Sequence, residues 1–356
     1  MIGRERVKAL AYEMGFDACG ITTPELPRQA ERTMEKWIEE GKHGEMRYLD
    51  DYVKRRERFH GSFPEAKSVI VLGVNYYSKE MAQGGRPTGG VRGRVARYAW
   101  GQDYHRVIRQ KVDLLKERIG QEAGRLVRFE SAVDTQALLE RTLAQRAGLG
   151  FRGRQTQLLS LQFGPWLFLA ELLTDLELEP DEPFTATCGT CRLCVDECPT
   201  GAIEEAGGLD ARKCIAYLTI EHKSDIPTEL RPKIRDWVFG CDQCLTICPY
   251  TAKQKDTHWR SLTQEEGFGP ELDLLELIEI GSSGQYEKQF GAAAISRANR
   301  KQLARNACVA LGNSGRQEAI PILERALLDP SAMVRRHAEW AIEQIQNHQS
   351  VRDSNG

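Results

Sequence analysis

Four cysteines crowd residues 188–198, within CGTCRLCVDECPTGAI (188–203), and Pro199 follows the last of them. A cubane iron–sulfur cluster needs four thiolates at the corners of a small tetrahedral object, and cysteines at i, i+3 and i+6 of a tight loop can wrap three corners. Cys188, Cys191 and Cys194 have that spacing. With Cys198 and Pro199 they complete the C-x2-C-x2-C-x3-C-P run of bacterial ferredoxins, whose fourth cysteine serves the other cluster. A second set is therefore required. Cys241, Cys244, Cys248 and Pro249 reproduce the last three cysteines and the proline, but the opening position is Val238. Cys214, between the two runs, is the substitute. The expected ligand sets are Cys188, Cys191, Cys194 and Cys248 for one [4Fe–4S] cluster, and Cys198, Cys214, Cys241 and Cys244 for the other. Two zinc sites of four thiolates each are the alternative, but zinc needs neither the triplet nor the trailing Cys-Pro. Cys19 and Cys308 stand apart in amphipathic settings and read as small buried hydrophobes.

Paired one-electron carriers imply an acceptor, and a long segment precedes them. In it, KSVIVLGVNYY (67–77) reads as a buried strand and RLVRFESAVD (125–134) as a second. TQALLERTLAQRAG (135–148) reads as the helix after it, stopped by glycine. Together they predict an α/β layer over residues 1–178. MAQGGRPTGGVRGR (81–94), rich in glycine and arginine, reads as a surface loop. The acidic, proline-bearing DLELEPDEPFTAT (175–187) marks a domain edge before a ferredoxin-like unit, residues 179–255. In residues 256–356, QLARNACVALGNSG, QEAIPILERALLDP and AMVRRHAEWAIEQI form three amphipathic segments of HEAT type. So short an array cannot bury its own apolar faces, so it must dock on what precedes it. No G-x-G-x-x-G follows a strand, so a dinucleotide fold is disfavoured.

The 356 residues are 41% hydrophobic and 28% charged, with a net charge of −2, which predicts no general affinity for polyanions. No stretch has the length and apolarity of a membrane span. The N-terminus lacks an export-signal pattern, so a cytoplasmic protein is expected. Its reducing surroundings favour metal-binding cysteines over disulfides.

VARYAWGQDYHRVI (95–108), ESAVDTQALLERTLAQRAGLG (130–150) and AYLTIEH (216–222), with both cysteine runs and the HEAT-like tail, resemble the epoxyqueuosine reductases. The likeness spans nearly the whole chain. It implies a cobalamin-dependent removal of an epoxide oxygen from a tRNA wobble nucleoside, consuming two electrons and two protons. An α/β cobalamin-binding domain, a two-cluster domain and a helical tRNA-contacting tail follow from it, as do a ferredoxin or flavodoxin donor and a monomeric chain. By the same resemblance Asp134 donates the proton, through burial that raises its pKa. On its own the residue reads rather as an N-cap for a helix starting near Thr135, and it is the resemblance that turns the reading to proton donor. Cobalamin contacts are implied at Arg56, Glu57, Arg97, Tyr98, Asp134, Arg154, Gln155, Thr156, Leu158, Leu169, Ala216 and Asp242. GFRGRQT (150–156) departs from the family's GWIGKNT, and Ala216 replaces its serine. Asp103, Tyr104 and His105 begin the Asp-x-His-x-x-Gly corrinoid motif, but Ile108 ends it, so His105 is expected to line the pocket without binding metal.

The substrate implied is a polyanion. Between 286 and 316, Lys288, Arg297, Arg300, Lys301, Arg305 and Arg316 face one acid, Glu287, which beside the resemblance reads as a phosphate-contacting surface. Arg141 and Lys223 are expected near the anticodon loop. The competing readings are a corrinoid reductive dehalogenase and a non-catalytic electron carrier; the first normally has a twin-arginine signal and no HEAT-like tail.

Overall fold

The computed structural model describes residues 2–79, 91–252 and 254–354. Its strands are β1 (Ala18–Thr22), β2 (Ser68–Asn75), β3 (Arg92–Val95), β4 (Phe129–Ala132), β5 (Phe151–Arg152), β6 (Leu158–Leu159), β7 (Leu167–Thr174), β8 (Trp237–Phe239) and β9 (Glu271–Asp273). The main sheet has the order β1-β2-β7-β4, with every pair antiparallel. β2 is buried at all eight positions, because helices cover both faces. On one face Ile70, Leu72 and Leu172 meet Val7 and Leu10 of the helix Arg4–Glu13 and Ile108, Val112 and Leu115 of the helix Tyr104–Ala123. On the other, Val69, Val71, Ala132 and Leu173 meet Leu143, Ala144 and Ala147. The fold is thus mixed α/β, but the sheet is not parallel. The rule that places sites at the carboxyl ends of parallel strands has no purchase on Asp134.

Two expected elements differ. The helix expected from Thr135 begins only at Glu140 (Glu140–Arg146) and is capped by Leu139. Asp134 is therefore no N-cap. The expected 81–94 loop ends in β3, whose alternating burial marks a sheet strand; its residues 81–90 lie outside the described residues.

β3 joins the three parts of the chain. It pairs in parallel with β8, from the cysteine-rich region, and antiparallel with β9, from the C-terminal region. The helical tail docks as its apolar face demands. Its helix Arg300–Ser314 is almost entirely buried, and three polar side chains on it bind backbone carbonyls of the preceding unit. Gln302 donates to Ile220 (2.8 Å), Asn306 to Thr219 and Val238 (2.8 Å each), and Arg305 to His222 (2.8 Å), Ser224 (2.7 Å) and Leu218 (2.6 Å).

These contacts overturn two readings. Arg305 has no exposed surface, and Arg300 is buried in an ion pair with Asp329 at 2.7 Å; neither can meet a phosphate. A basic run counted from sequence cannot tell a solvated face from an interface. Replacing Arg305 by Met should lower unfolding stability by about 3 kcal/mol or more, since it orphans several buried carbonyls; urea unfolding will measure it.

Candidate active site

Glycine sets the start of the second cysteine loop. Gly240 has φ +71°, and a Cβ there would come within 2.4 Å of the Ala96 side chain, so only glycine turns the chain cleanly into Cys241. All eight clustered cysteines are free thiols, and their mutual electrostatics sort them. Cys248 is pushed up by burial and then by Cys188, Cys194 and Cys191. Cys244 is pushed well up by burial and then by Cys214, Cys241 and Cys198 among its neighbours. The chain thus brings together the two quartets expected from spacing, Cys198 and Cys248 each crossing to the other run.

Backbone donors surround the sulfurs. Arg154 N–H points at Cys188 Sγ (3.3 Å) and Ala202 N–H at Cys198 Sγ (3.3 Å). Burial first raises the Cys214 thiol, and the N–H groups of Tyr217 and Ala216 oppose that rise. Such donors stabilise thiolates and tune cluster potentials. The Arg154 guanidinium binds the carbonyls of Cys191 (3.0 Å), Gly189 (3.2 Å) and Glu205. It clamps a cluster loop.

Asp134 lies just past β4 with φ +54°, a left-handed conformation that Asp tolerates. The turn leaves 60% of its side chain accessible. Tyr104 Oη donates to its Oδ2 at 2.5 Å, and His105 Nε2 stands 3.7 Å away. Asp103 holds His105 Nδ1 at 2.8 Å. Burial would raise the Asp134 pKa, yet the hydrogen bonds from His105 and Tyr104 and the charges of His105 and Arg141 bring it below the ordinary value. The expected upward shift is therefore absent. Its neighbours shift the other way: burial would lower the His105 pKa, but Asp103 and Asp134 raise it to about 9. Burial and the charge of Asp134 raise Glu140 to about 8.

Beside Asp134 stands an aromatic wall. Phe168 stacks on Tyr76 (4.3 Å) and on Tyr104 (4.2 Å), and Tyr98 meets Tyr104 edge-on. Arg97 packs over Trp100 and Trp166, and its N–H binds Asp242 Oδ2 at 2.6 Å. Asp242 lies between Cys241 and Cys244, so Arg97 and Tyr98 link the acid to a cluster loop. Thr156 has φ +74°, a genuine strain for a β-branched residue, and its carbonyl takes Arg141 Nη1 at 3.3 Å. Gln155 is buried, and its Nε2 has no hydrogen-bond partner among the described residues.

Other expected contacts are dispersed. Leu158 is buried in the apolar cluster under the sheet, with Leu169 packed against it. Ala216 is half-buried beside Cys214. Arg56 pairs with Glu31 (2.8 Å) and lines a surface groove with Glu57 and Phe63, while its neighbour Arg55 reaches the carbonyl of Thr135 at 3.4 Å. Lys223 and Lys301 are exposed, and Arg297 pairs with Glu221 (2.6 Å) while lying over the exposed Tyr48 ring. Tyr48, Tyr104, Phe168 and Glu140 escaped sequence reading. Of these, Tyr104 and Glu140 lay in stretches that the resemblance singled out.

Comparison with known proteins matches residues 56–135 to the model "Epoxyqueuosine reductase QueG, DUF1730", 187–251 to a 4Fe-4S double cluster binding domain and 291–353 to HEAT repeats. The epoxyqueuosine reductase of Xanthomonas campestris is 38% identical, over 95% of each chain. That of Escherichia coli is 37% identical over 96% of this chain and 89% of its own. The structure of epoxyqueuosine reductase from Streptococcus thermophilus superposes with a TM-score of 0.85 at 30% identity, covering 96% of this chain and 90% of that one. A crystal structure of an epoxyqueuosine reductase with an epoxyqueuosine-modified tRNA-Tyr stem loop gives 0.84 at 32%, covering 96% and 89%. With that identity sustained from end to end, and cluster and repeat models falling in the order the residues demanded, the chain belongs to the epoxyqueuosine reductases, oxidoreductases that modify tRNA.

Proposed function

We propose that this chain reduces epoxyqueuosine to queuosine at the tRNA wobble position, with cobalamin beside Asp134 and electrons entering through two [4Fe–4S] clusters. The observation that carries this reading is the short path from acid to cluster loop, through Tyr98, Arg97 and Asp242. Cys188, Cys191, Cys194 and Cys248 hold one cluster, and Cys198, Cys214, Cys241 and Cys244 the other. Residues 1–178 carry the cobalamin site, 179–255 the clusters and 256–356 the tRNA-facing repeats.

The residues fit a corrinoid. The aromatic wall offers a broad apolar face, the unpaired Gln155 amide is a donor awaiting an acceptor, and the strained Thr156 holds the adjoining turn. When bound, cobalamin supplies a reduced metal centre able to open the strained ring. Asp134 delivers the proton to the ring oxygen. Tyr104 fixes the carboxyl, and Asp103 orients His105 so that Nε2 faces it. Covering the site expels water and pushes Asp134 towards its neutral form. Tyr98 and Asp242 carry the link from this space to the cluster loop, and Leu169 and Ala216 are the remaining candidate contacts.

The substrate approaches over Tyr48, whose ring is 43% exposed and can stack on a splayed-out base. Arg297 lies over that ring, and Arg141, Lys223, Lys288, Lys301 and Arg316 are the further candidate phosphate contacts. Lys301→Ala should weaken tRNA binding and reduce the slope of log K against log salt by about 1, as a salt series of filter-binding assays will read. Among the described residues no helix is long and apolar enough to cross a membrane, which suits a cytoplasmic enzyme fed by ferredoxin or flavodoxin. The test is anaerobic titration of the cluster-loaded protein with cobalamin. A saturable change in the corrin absorbance is expected; none would leave an electron carrier.

A further inference from the structure

Arg55 ties together two loops of the site. It stands in the helix Tyr52–Ser62, and its guanidinium donates through Nη1 to the Tyr48 carbonyl at 3.1 Å and through Nη2 to the Thr135 carbonyl at 3.4 Å. One acceptor belongs to the segment that presents the exposed Tyr48 ring, the other to the turn that presents Asp134. Asp134, Thr135 and Gln136 form an exposed tip between the buried Val133 and Ala137, and no regular structure runs from the end of β4 to Glu140. Among the described residues, the bond from Arg55 is the one hydrogen bond to the backbone of residues 135–138. Tyr48 is held no more firmly, on the single 3-10 turn Arg47–Leu49. Burial and then the charge of Glu221 raise the Tyr48 hydroxyl, and Asp134 adds to that rise, so ring and acid lie within electrostatic reach of each other. Arg56, next on the helix, turns instead to Glu31 (2.8 Å), because consecutive helical positions do not share a face.

We propose that Arg55 is a positioning residue that fixes the separation between the stacking surface at Tyr48 and the acid at Asp134. The inference rests on the reading of Asp134 as proton donor and of Tyr48 as the platform for the splayed-out base. A base seated on Tyr48 presents its epoxide at a distance set by that platform, and Asp134 must stand within hydrogen-bond reach of the oxygen as the C–O bond opens. One planar, rigid guanidinium bound to both carbonyls holds the two distances together, because the fork cannot follow one loop without leaving the other. A misplacement of about 1 Å is enough to cost about a hundredfold in rate. Arg55 acts through the two carbonyls and not on the reacting atoms.

Arg55→Met removes both bonds and keeps the aliphatic stem. Tyr48 and Thr135 are exposed, so water takes the place of the lost donors and the variant folds. In single-turnover assays of the cluster- and cobalamin-loaded protein on epoxyqueuosine tRNA, its rate at saturating tRNA should fall about ten- to a hundredfold, while the Kd for tRNA and the cobalamin titration stay at wild-type values. Arg55→Lys, which keeps the charge and loses the fork, should recover only part of that rate. Amide hydrogen exchange should quicken at residues 47–49 and 134–138 and stay unchanged elsewhere. In a Tyr48→Ala background the loss caused by Arg55→Met should shrink, since the platform it registers is gone. A wild-type rate in Arg55→Met, an equal loss with and without the Tyr48 ring, full recovery in Arg55→Lys, or a defect confined to tRNA binding overturns the proposal. Asp134→Asn tells that failure from failure of the donor reading: full activity there removes the donor, whereas an inactive Asp134→Asn beside a fast Arg55→Met removes only the tie.

Discussion

Asp134→Asn should keep both clusters and bound cobalamin and lose turnover by about two to four orders of magnitude. Asparagine is isosteric and tolerates the left-handed backbone that Asp134 adopts, so the turn after β4 survives. Its amide oxygen can still accept from Tyr104. What disappears is the capacity to pass a proton. In wild type the rate should fall as pH rises through about 8 to 9, because Glu140 and His105 are protonated below those values and deprotonated above them. The variant should show no such fall in whatever rate remains. Single-turnover assays across that window measure both effects, and full activity in Asp134→Asn would remove the residue from the reaction.

Cys214→Ala should lose about half of the iron and almost all turnover, while Cys308→Ala keeps its full complement. Cys308 has no exposed surface and packs in the tail core, whereas the Cys214 thiol faces Cys198. Spacing alone left the second run one ligand short, and Cys214 fills that place from outside it. Iron and acid-labile sulfide analysis of oxygen-free protein decides the matter. Unchanged iron in Cys214→Ala would break the assigned pairing.

The cluster residues were legible because a cubane imposes its geometry on a few consecutive positions. So were β2, whose unbroken apolar run has no other reading, and the three tail segments, whose periodicity survives docking. Asp134 was legible through its motif, but its chemistry was not. Its pKa depends on Tyr104 and His105, which reach it from another helix, and on Glu140 at the start of a helix that began five residues late. Arg300 and Arg305 misled because charge was counted without burial, and the partners that bury them, Asp329 and the carbonyls of Leu218, His222 and Ser224, are distant in sequence. The Arg154 clamp was illegible for the same reason, since the carbonyls that hold it come from the cluster loop. Arg55 gave no sign in sequence, since the Thr135 carbonyl it binds lies 80 residues on.

The most direct measurement is the mass of the wobble nucleoside released from epoxyqueuosine tRNA after one anaerobic turnover with reduced, cobalamin-loaded protein. Loss of a single oxygen atom, in proportion to enzyme and to two electrons supplied, is the predicted result. An unchanged epoxide, with both clusters reduced and cobalamin bound, would contradict the account.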